Sequence, residues 1–164
     1  MDLTPAENPR VLLVVDVDVD PSALHLTAAT LHDFGVRVDV TAVTSEHRPG
    51  WDAGARAVIV ASADAKLPVR LARETVLPVV RVPSASEGAA GLALLCDDTG
   101  NLPAATEDSE PFATVAIGEA GAKNAALFVV SLLALDDPRL RDAWQAFRAA
   151  QTDAVLRQPA PALD

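Results

Sequence analysis

The sequence is short of cysteine and of positive charge, and each shortage excludes classes of protein. Cys96 is the single cysteine among 164 residues, so the chain can form neither an internal disulfide nor a Cys/His zinc cluster. The 13 lysines and arginines are outnumbered by 23 aspartates and glutamates, which gives a net charge of -10. That balance argues against a surface for nucleic-acid phosphates or anionic lipid, so we expect neither partner.

Targeting segments and long hydrophobic runs are also missing. Residues 1–10 carry acidic residues and two prolines where a signal peptide needs a basic start followed by an apolar run. The longest apolar stretch, residues 125–135, contains Ser131 and falls short of the roughly 20 residues that cross a bilayer. We therefore expect a cytoplasmic protein.

The composition predicts one globular domain. Half of the residues (50%) are hydrophobic and 22% are charged, which is enough apolar material for a packed core in a chain of single-domain length. We expect residues 10–157 to form the domain, with short tails at residues 1–9 and 158–164.

Apolar patterning along the chain alternates between strands and helices. A β-branched run predicts a strand buried on both faces at residues 10–16, and alternation predicts a strand at residues 36–43. Further short apolar runs predict strands at residues 57–61, 79–82 and 114–117. Helical spacing predicts helices over residues 22–34, 67–76, 118–135 and 138–157, the first of them stopped by Gly35. This alternation indicates an α/β fold, a doubly wound, flavodoxin-like domain of three layers with a parallel sheet.

Two further segments stand apart from this pattern. Residues 97–111 are acidic and predict an exposed loop. The last predicted helix carries a set of apolar residues, although the preceding helices already cover the five strands. This favours packing of the last helix on a neighbouring chain; the set is Leu140, Trp144, Phe147 and Val155.

The C-terminal third carries a specific sequence match. It includes Ala-Ile-Gly at residues 116–118, Leu-Asp-Asp-Pro at 135–138 and Gln-Thr-Asp-Ala-Val-Leu at 151–156. The chain resembles the phosphoribosylaminoimidazole carboxylases and carboxyaminoimidazole ribonucleotide mutases of purine biosynthesis, over roughly residues 10–157. The resemblance implies a homo-octamer with the C-terminal helix docked across subunits, a small-molecule substrate, and no metal or organic cofactor.

The resemblance also implies a reaction and its requirements. The family moves a carboxyl group between an amino substituent and a ring carbon of an aminoimidazole ribonucleotide, or fixes carbon dioxide on that carbon. This needs an anion-binding loop for the ribose phosphate, a histidine that moves one proton, and a closed pocket.

The loop after the first strand departs from the family pattern Gly-Ser-x-Ser-Asp-Trp. The matching positions are Asp16-Val17-Asp18-Val19-Asp20-Pro21, in which the glycine and both serines are replaced. The resemblance makes Asp16, Asp18, Asp20 and the following Ser22 candidates for substrate binding. Carboxylates beside a phosphate dianion oppose its binding, so this loop argues against a phosphorylated substrate in the family's pose.

The three alternating aspartates also resemble the start of a calcium loop. Pro21 stands where that loop needs a glycine, and Thr27 stands where it needs a bidentate carboxylate. We therefore predict no metal site here.

The loop after the second strand fits the family's Ser-Ala-His-Arg-Thr-Pro in two registers. One places Glu46 on the catalytic histidine and keeps Pro49; the other aligns Ser45, His47 and Arg48 with serine, histidine and arginine. The catalytic candidates are therefore His47 and Glu46, with Ser45 and Arg48 as substrate-binding candidates. A carboxylate in this role would need burial to raise its pKa.

The loops after the third and fourth strands differ further. The family's His-Leu-Pro-Gly becomes Lys66-Leu67-Pro68-Val69, and Lys66 at a strand end could hold a carboxylate. The substrate-binding candidates of this loop are Ser62, Asp64 and Lys66. The family's Gln-Met-Pro loop is replaced by the acidic segment 97–111.

A retained scaffold with changed loops predicts a changed function. The leading hypothesis is a cofactor-free enzyme that transfers or removes a carboxyl group on a small heterocycle. The alternatives are an ordinary carboxyaminoimidazole ribonucleotide mutase of purine biosynthesis and a non-catalytic oligomeric binding or scaffold protein.

Overall fold

The computed structural model describes residues 8–17, 19–43, 54–62, 66–83 and 111–158. Within this part of the chain, parallel strands form one sheet in the spatial order β2-β1-β3-β4-β5. The strands are β1 (Arg10–Asp16), β2 (Arg37–Val43), β3 (Ala55–Ser62), β4 (Val79–Pro83) and β5 (Ala113–Thr114). The helices are α1 (His25–Asp33), α2 (Lys66–Glu74), α3 (Gly118–Leu133) and α4 (Pro138–Leu156), and a 3-10 turn at Pro21–Leu24 precedes α1.

Both faces of the sheet are covered by helices, as the uninterrupted apolar strands predict. Leu13 and Ile59 face one core, which includes buried residues of α1 and α3, while Val14 and Val60 face a second core with Leu71 of α2. The strand order is that of the flavodoxin-like doubly wound fold. The predicted three-layer α/β fold is therefore confirmed.

The last strand is shorter than predicted. Residues 114–117 were expected to be extended, whereas β5 covers Ala113–Thr114 alone. One more hydrogen bond, from Val115 N–H to Arg81 O at 3.1 Å, continues towards β4. The chain then turns, because Gly118 with φ +78° begins α3.

Gly35 ends the first helix, as predicted. Its φ is +71°, and its N–H donates to the carbonyl of His32 at 2.8 Å while Val36 N–H donates to Leu31 O at 3.0 Å. These two bonds are a Schellman motif, which satisfies carbonyls at the helix end. The predicted single helix 22–34 is divided, since its first turn is the 3-10 turn at Pro21–Leu24.

A close backbone contact places the start of α3. A Cβ added to Gly121 would lie 1.5 Å from the carbonyl oxygen of Ala116. Any side chain here would therefore displace backbone rather than a flexible side-chain end. Thr27 of α1 also holds the first turns of α3, since its buried hydroxyl donates to Ala122 O at 2.9 Å.

Helix α4 packs on its own chain through an aromatic cluster. Phe34, at the end of α1, has its ring centroid 5.6 Å from that of Phe147 and 6.3 Å from that of Trp144, and Trp144 stacks on Phe147 at 5.7 Å. Leu140 is buried in the core. Phe34 thus supplies a partner within the chain for Trp144 and Phe147, while Val155 remains 65% exposed. Packing of this helix on a neighbouring chain stays a prediction.

Asp137 caps the start of α4 with its carboxylate. Oδ1 accepts from the backbone N–H of Arg139 at 2.9 Å and of Leu140 at 3.4 Å, and Oδ2 accepts from the Arg139 guanidinium at 3.2 Å. The Arg139 side chain and these backbone N–H groups lower the pKa of Asp137. The charged carboxylate therefore stabilises the folded state.

Replacing this cap should destabilise the protein in a pH-dependent way. Asp137→Ala is expected to lower the free energy of unfolding by about 1 kcal/mol at pH 7. The pKa of Asp137 is lower in the folded than in the unfolded state. The stabilisation by its carboxylate is therefore fully present above the unfolded-state pKa and is lost as the pH falls through the folded-state pKa. Chemical denaturation at pH 7 and pH 3 measures this, with Asp142→Ala, an exposed aspartate of α4, as the control. An effect equal at both pH values would contradict it.

Candidate functional site

The carboxyl ends of β1 and β3 lie side by side at one edge of the sheet. Val15 of β1 pairs with Ala61 of β3, so Asp16 and Ser62 come next on neighbouring strands, and Ser62 itself pairs with Pro83 of β4. The strand order reverses between β1 and β3, and in doubly wound sheets ligands bind outside the carboxyl ends at this point. This edge is therefore the candidate site.

The described candidate residues of this edge share one face of the sheet. Val15 and Ala61 belong to the core under α1 and α3, so by strand alternation Asp16 and Ser62 point to the α2 side. Asp16 is half-buried and Ser62 fully buried, while Lys66, the first residue of α2, is exposed. The sheet thus places Asp16 beside Ser62, while Lys66 is known only as the exposed first residue of α2.

Arg81 is a buried cation on the same face, and sequence reasoning missed it. It lies in β4 opposite Val60 and is 1% exposed. Its Nε donates to Ser62 Oγ and its Nη2 to Ser62 O, each at 3.4 Å. The side chain therefore runs from mid-strand towards the carboxyl edge. The sequence did contain a feature that could have identified it, because Arg81 is the one charged residue in the apolar segment 79–83.

The loop after β1 uses several of its hydrogen-bond donors within the protein. Val17 N–H donates to Val43 O at 3.3 Å and Val19 N–H to Asp16 O at 2.9 Å. The carboxylate of Asp20 accepts from Ser22 N–H at 2.9 Å, and this bond lowers the pKa of Asp20. Asp20 and Ser22, both predicted to bind substrate, thus bond to each other and cap the 3-10 turn.

Other predicted site residues lie outside the described residues. They are Asp18, Ser45, Glu46, His47, Arg48 and Asp64, together with residues 97–110 of the acidic segment. The choice between Glu46 and His47 therefore stays a prediction. Among the residues the structure describes, no three His, Cys, Asp or Glu side chains are grouped closely enough to hold a metal ion.

A second cleft lies at the opposite edge of the sheet. Its volume is about 570 Å³, and it is lined by the strand starts at Arg10 and Arg37 and by the turn before α4. Two of its arginines are paired, Arg56 with Asp136 at 3.2 Å and Arg10 with Asp39 at 3.0 Å. The paired charges and the position at the amino ends of the strands argue against this cleft as the substrate site. Across the described ranges, no helix is both long and apolar enough to span a membrane.

Comparisons with known proteins agree with this architecture. Residues 10–154 match the family model described as AIR carboxylase. The N5-carboxyaminoimidazole ribonucleotide mutase of Pseudomonas aeruginosa is 38% identical over 152 residues, which are 87% of this chain and 90% of that protein. The mutase of Brucella melitensis is 35% identical, over 91% of this chain and 95% of its own length. The Escherichia coli mutase is 32% identical, over 93% of each chain. This chain belongs to the AIR carboxylase family.

Proposed function

We propose that the chain is a cofactor-free cytoplasmic enzyme that transfers or removes a carboxyl group on a small aminoimidazole-like heterocycle. The substrate binds at the carboxyl edge of β1, β3 and β4 and is not held by a phosphate in the loop after β1. Family membership supports the class of reaction, and the contacts in that loop support the change of substrate.

The reaction balances without an oxidant, a reductant or a metal. In the transfer, the bond between the amino nitrogen and the carboxyl carbon breaks, and carbon dioxide leaves while the electron pair stays on nitrogen. The ring carbon then bonds to carbon dioxide and releases its proton, which one side chain returns to the nitrogen. In the decarboxylation, the ring carbon loses carbon dioxide and takes up a proton instead.

The donors of the β1 loop carry this proposal. A phosphate dianion needs N–H or O–H groups directed at it. Here the N–H groups of Val17, Val19 and Ser22 donate to Val43, Asp16 and Asp20. The carboxylates of Asp16 and Asp20 add negative charge beside the position that the phosphate would take. The loop is therefore better suited to a ligand without a phosphate.

A matched substrate pair tests this proposal. We expect the purified protein to turn over 5-aminoimidazole-4-carboxylate or N5-carboxyaminoimidazole as the ribonucleoside at least as well as the ribonucleotide, measured as kcat/KM from ring absorbance. A site that bound the phosphate through charge-assisted bonds would instead favour the ribonucleotide by roughly a hundredfold or more. Preference for the ribonucleotide by that factor would contradict the proposal.

A strong preference for the ribonucleotide would instead favour the other candidate function, that of an ordinary N5-carboxyaminoimidazole ribonucleotide mutase of purine biosynthesis. The names of relatives at 32–38% identity, all N5-carboxyaminoimidazole ribonucleotide mutases, favour it. No turnover of any of these compounds would leave the non-catalytic binding role.

The proton-moving residue is identified by two conservative substitutions. We expect either His47→Asn or Glu46→Gln, and not both, to lower kcat by roughly 10²–10⁴-fold, because general acid-base catalysis contributes about that factor. Single-turnover assays with each variant measure the effect, and circular dichroism checks folding. Full activity in both variants would remove this loop from the mechanism.

We also infer a homo-oligomer, in line with the octamer that the family implies. Val155 is 65% exposed and Leu156 76% exposed at the end of α4, and exposed apolar neighbours mark interaction sites. Val155→Ser with Leu156→Ser should reduce the mass measured by light scattering, while Arg148→Ser, earlier on the same helix, should not. An unchanged mass in the double variant would count against this surface.

A further inference from the structure

We propose that the cleft at the amino edge of the sheet is a second ligand site, which binds the phosphate group of a small phosphomonoester. The site is separate from the substrate site at the carboxyl edge, and it does not depend on the proposed function. The volume of the cleft, the arginines that line it and the exposure of those arginines carry the proposal.

Three neighbouring strands each supply an arginine to the cleft where they begin. Arg10 of β1 lies beside Arg37 of β2, and Arg56 is the second residue of β3. The register between β1 and β3 shifts between Arg10 and Val11, which leaves Arg56 as the extra residue of a bulge. Bulges of this kind redirect a side chain. Arg139, in the first turn of α4, is the fourth arginine of the lining.

The cleft is positively charged in a chain that is acidic as a whole. Its lining holds these four arginines and two aspartates, Asp136 and Asp137, although the chain carries a net charge of -10. Arg37 is exposed and forms no ion pair with any residue that the structure describes. Guanidinium groups that lie together repel one another unless an anion lies between them. The cleft is therefore suited to a negatively charged ligand.

The ion pairs of the cleft leave their guanidinium groups accessible to a ligand. The Arg56 side chain is 54% exposed where it contacts Asp136, and that of Arg139 is 61% exposed where it contacts Asp137. Exposed ion pairs contribute little to stability. The carboxylate of Asp137 also accepts from backbone N–H groups at the start of α4, and these bonds do not need the Arg139 side chain. Both arginines can therefore turn to an anion while the fold is kept.

The size and chemistry of the cleft favour a phosphomonoester. Its volume of about 570 Å³ falls within the range of roughly 300–1,000 Å³ that is usual for small-molecule sites. Guanidinium groups form parallel N–H bonds to phosphate oxygens, and several of them suit a dianion. A smaller hollow of about 160 Å³ shares Asn8 and Arg139 with the cleft and is also lined by Phe34 and Leu140. This hollow suits an apolar part of the same ligand.

Isothermal titration with a matched pair of probes tests the proposal. Adenosine 5′-monophosphate carries a phosphate, and adenosine is the same molecule without it. The wild-type protein should bind the monophosphate at least about tenfold more tightly, because charge-assisted bonds to the phosphate add to the affinity. This difference should shrink when sodium chloride is raised from about 50 to about 500 mM, because salt screens exposed charges.

Substitutions of exposed arginines locate the bound phosphate. Arg37→Gln combined with Arg56→Gln should weaken binding of the monophosphate by about tenfold or more, since two cations of the cleft are lost. Arg148→Gln, an exposed arginine of α4 outside the cleft, should leave the affinity unchanged. Arg37→Lys keeps the charge without the parallel N–H groups and should weaken binding by about threefold. Circular dichroism checks that each variant folds.

Two results would overturn the proposal. The first is a wild-type protein that binds neither probe or binds both equally well. The second is a folded double variant that keeps the wild-type affinity for the monophosphate, because the probe would then bind elsewhere. Turnover is a separate measurement: both arginines lie at the edge opposite the substrate site, so the double variant should keep the wild-type kcat. A failure of this proposal is therefore distinguishable from a failure of the proposed function.

Discussion

Strand β1 lies between β2 and β3 with its central residues closed to water on both faces, and the rest of the structure depends on that burial. Val11, Leu13 and Val14 are each 0% exposed, so helices must cover both sides of the sheet. The chain leaves β1 towards β2 and returns on the other side of β1 as β3. The carboxyl ends of these parallel strands therefore lie at one edge of the sheet, where the strand order reverses.

The same burial sets the electrostatics of the candidate site. Arg81 enters from β4 under the cover of α2, and Ser62 bonds to its guanidinium at the end of β3. In the loop after β1, the Asp20 carboxylate accepts a hydrogen bond from Ser22 N–H, which lowers the pKa of Asp20 and keeps it negatively charged at neutral pH. Positive charge has thus been placed under β3 and β4 while the β1 loop is acidic. The acidic β1 loop is the part of this distribution on which the proposal of a substrate without a bound phosphate rests.

Hydrophobic patterning predicted most of the fold. Strands buried on both faces are continuous apolar runs, and the helices between them repeat their apolar residues at helical spacing. Gly35 could be assigned as a helix end because a positive φ is nearly free of cost only for glycine. The end of β5 and the partner of α4 could not be predicted, since they depend on tertiary contacts between Gly121 and Ala116 and between Phe34 and Trp144. Of the site, the resemblance indicated Asp16, Ser62 and Lys66, whereas Arg81 was hidden inside a strand that reads as core.

The central claim is that this family scaffold binds its substrate at the carboxyl edge of β1, β3 and β4 and not through a phosphate in the loop after β1. A crystal structure with 5-aminoimidazole-4-carboxylate ribonucleotide is the most direct test. The account predicts the aminoimidazole ring at the carboxyl edge of β1, β3 and β4, with the phosphate away from the β1 loop. A phosphate bound by that loop would contradict it.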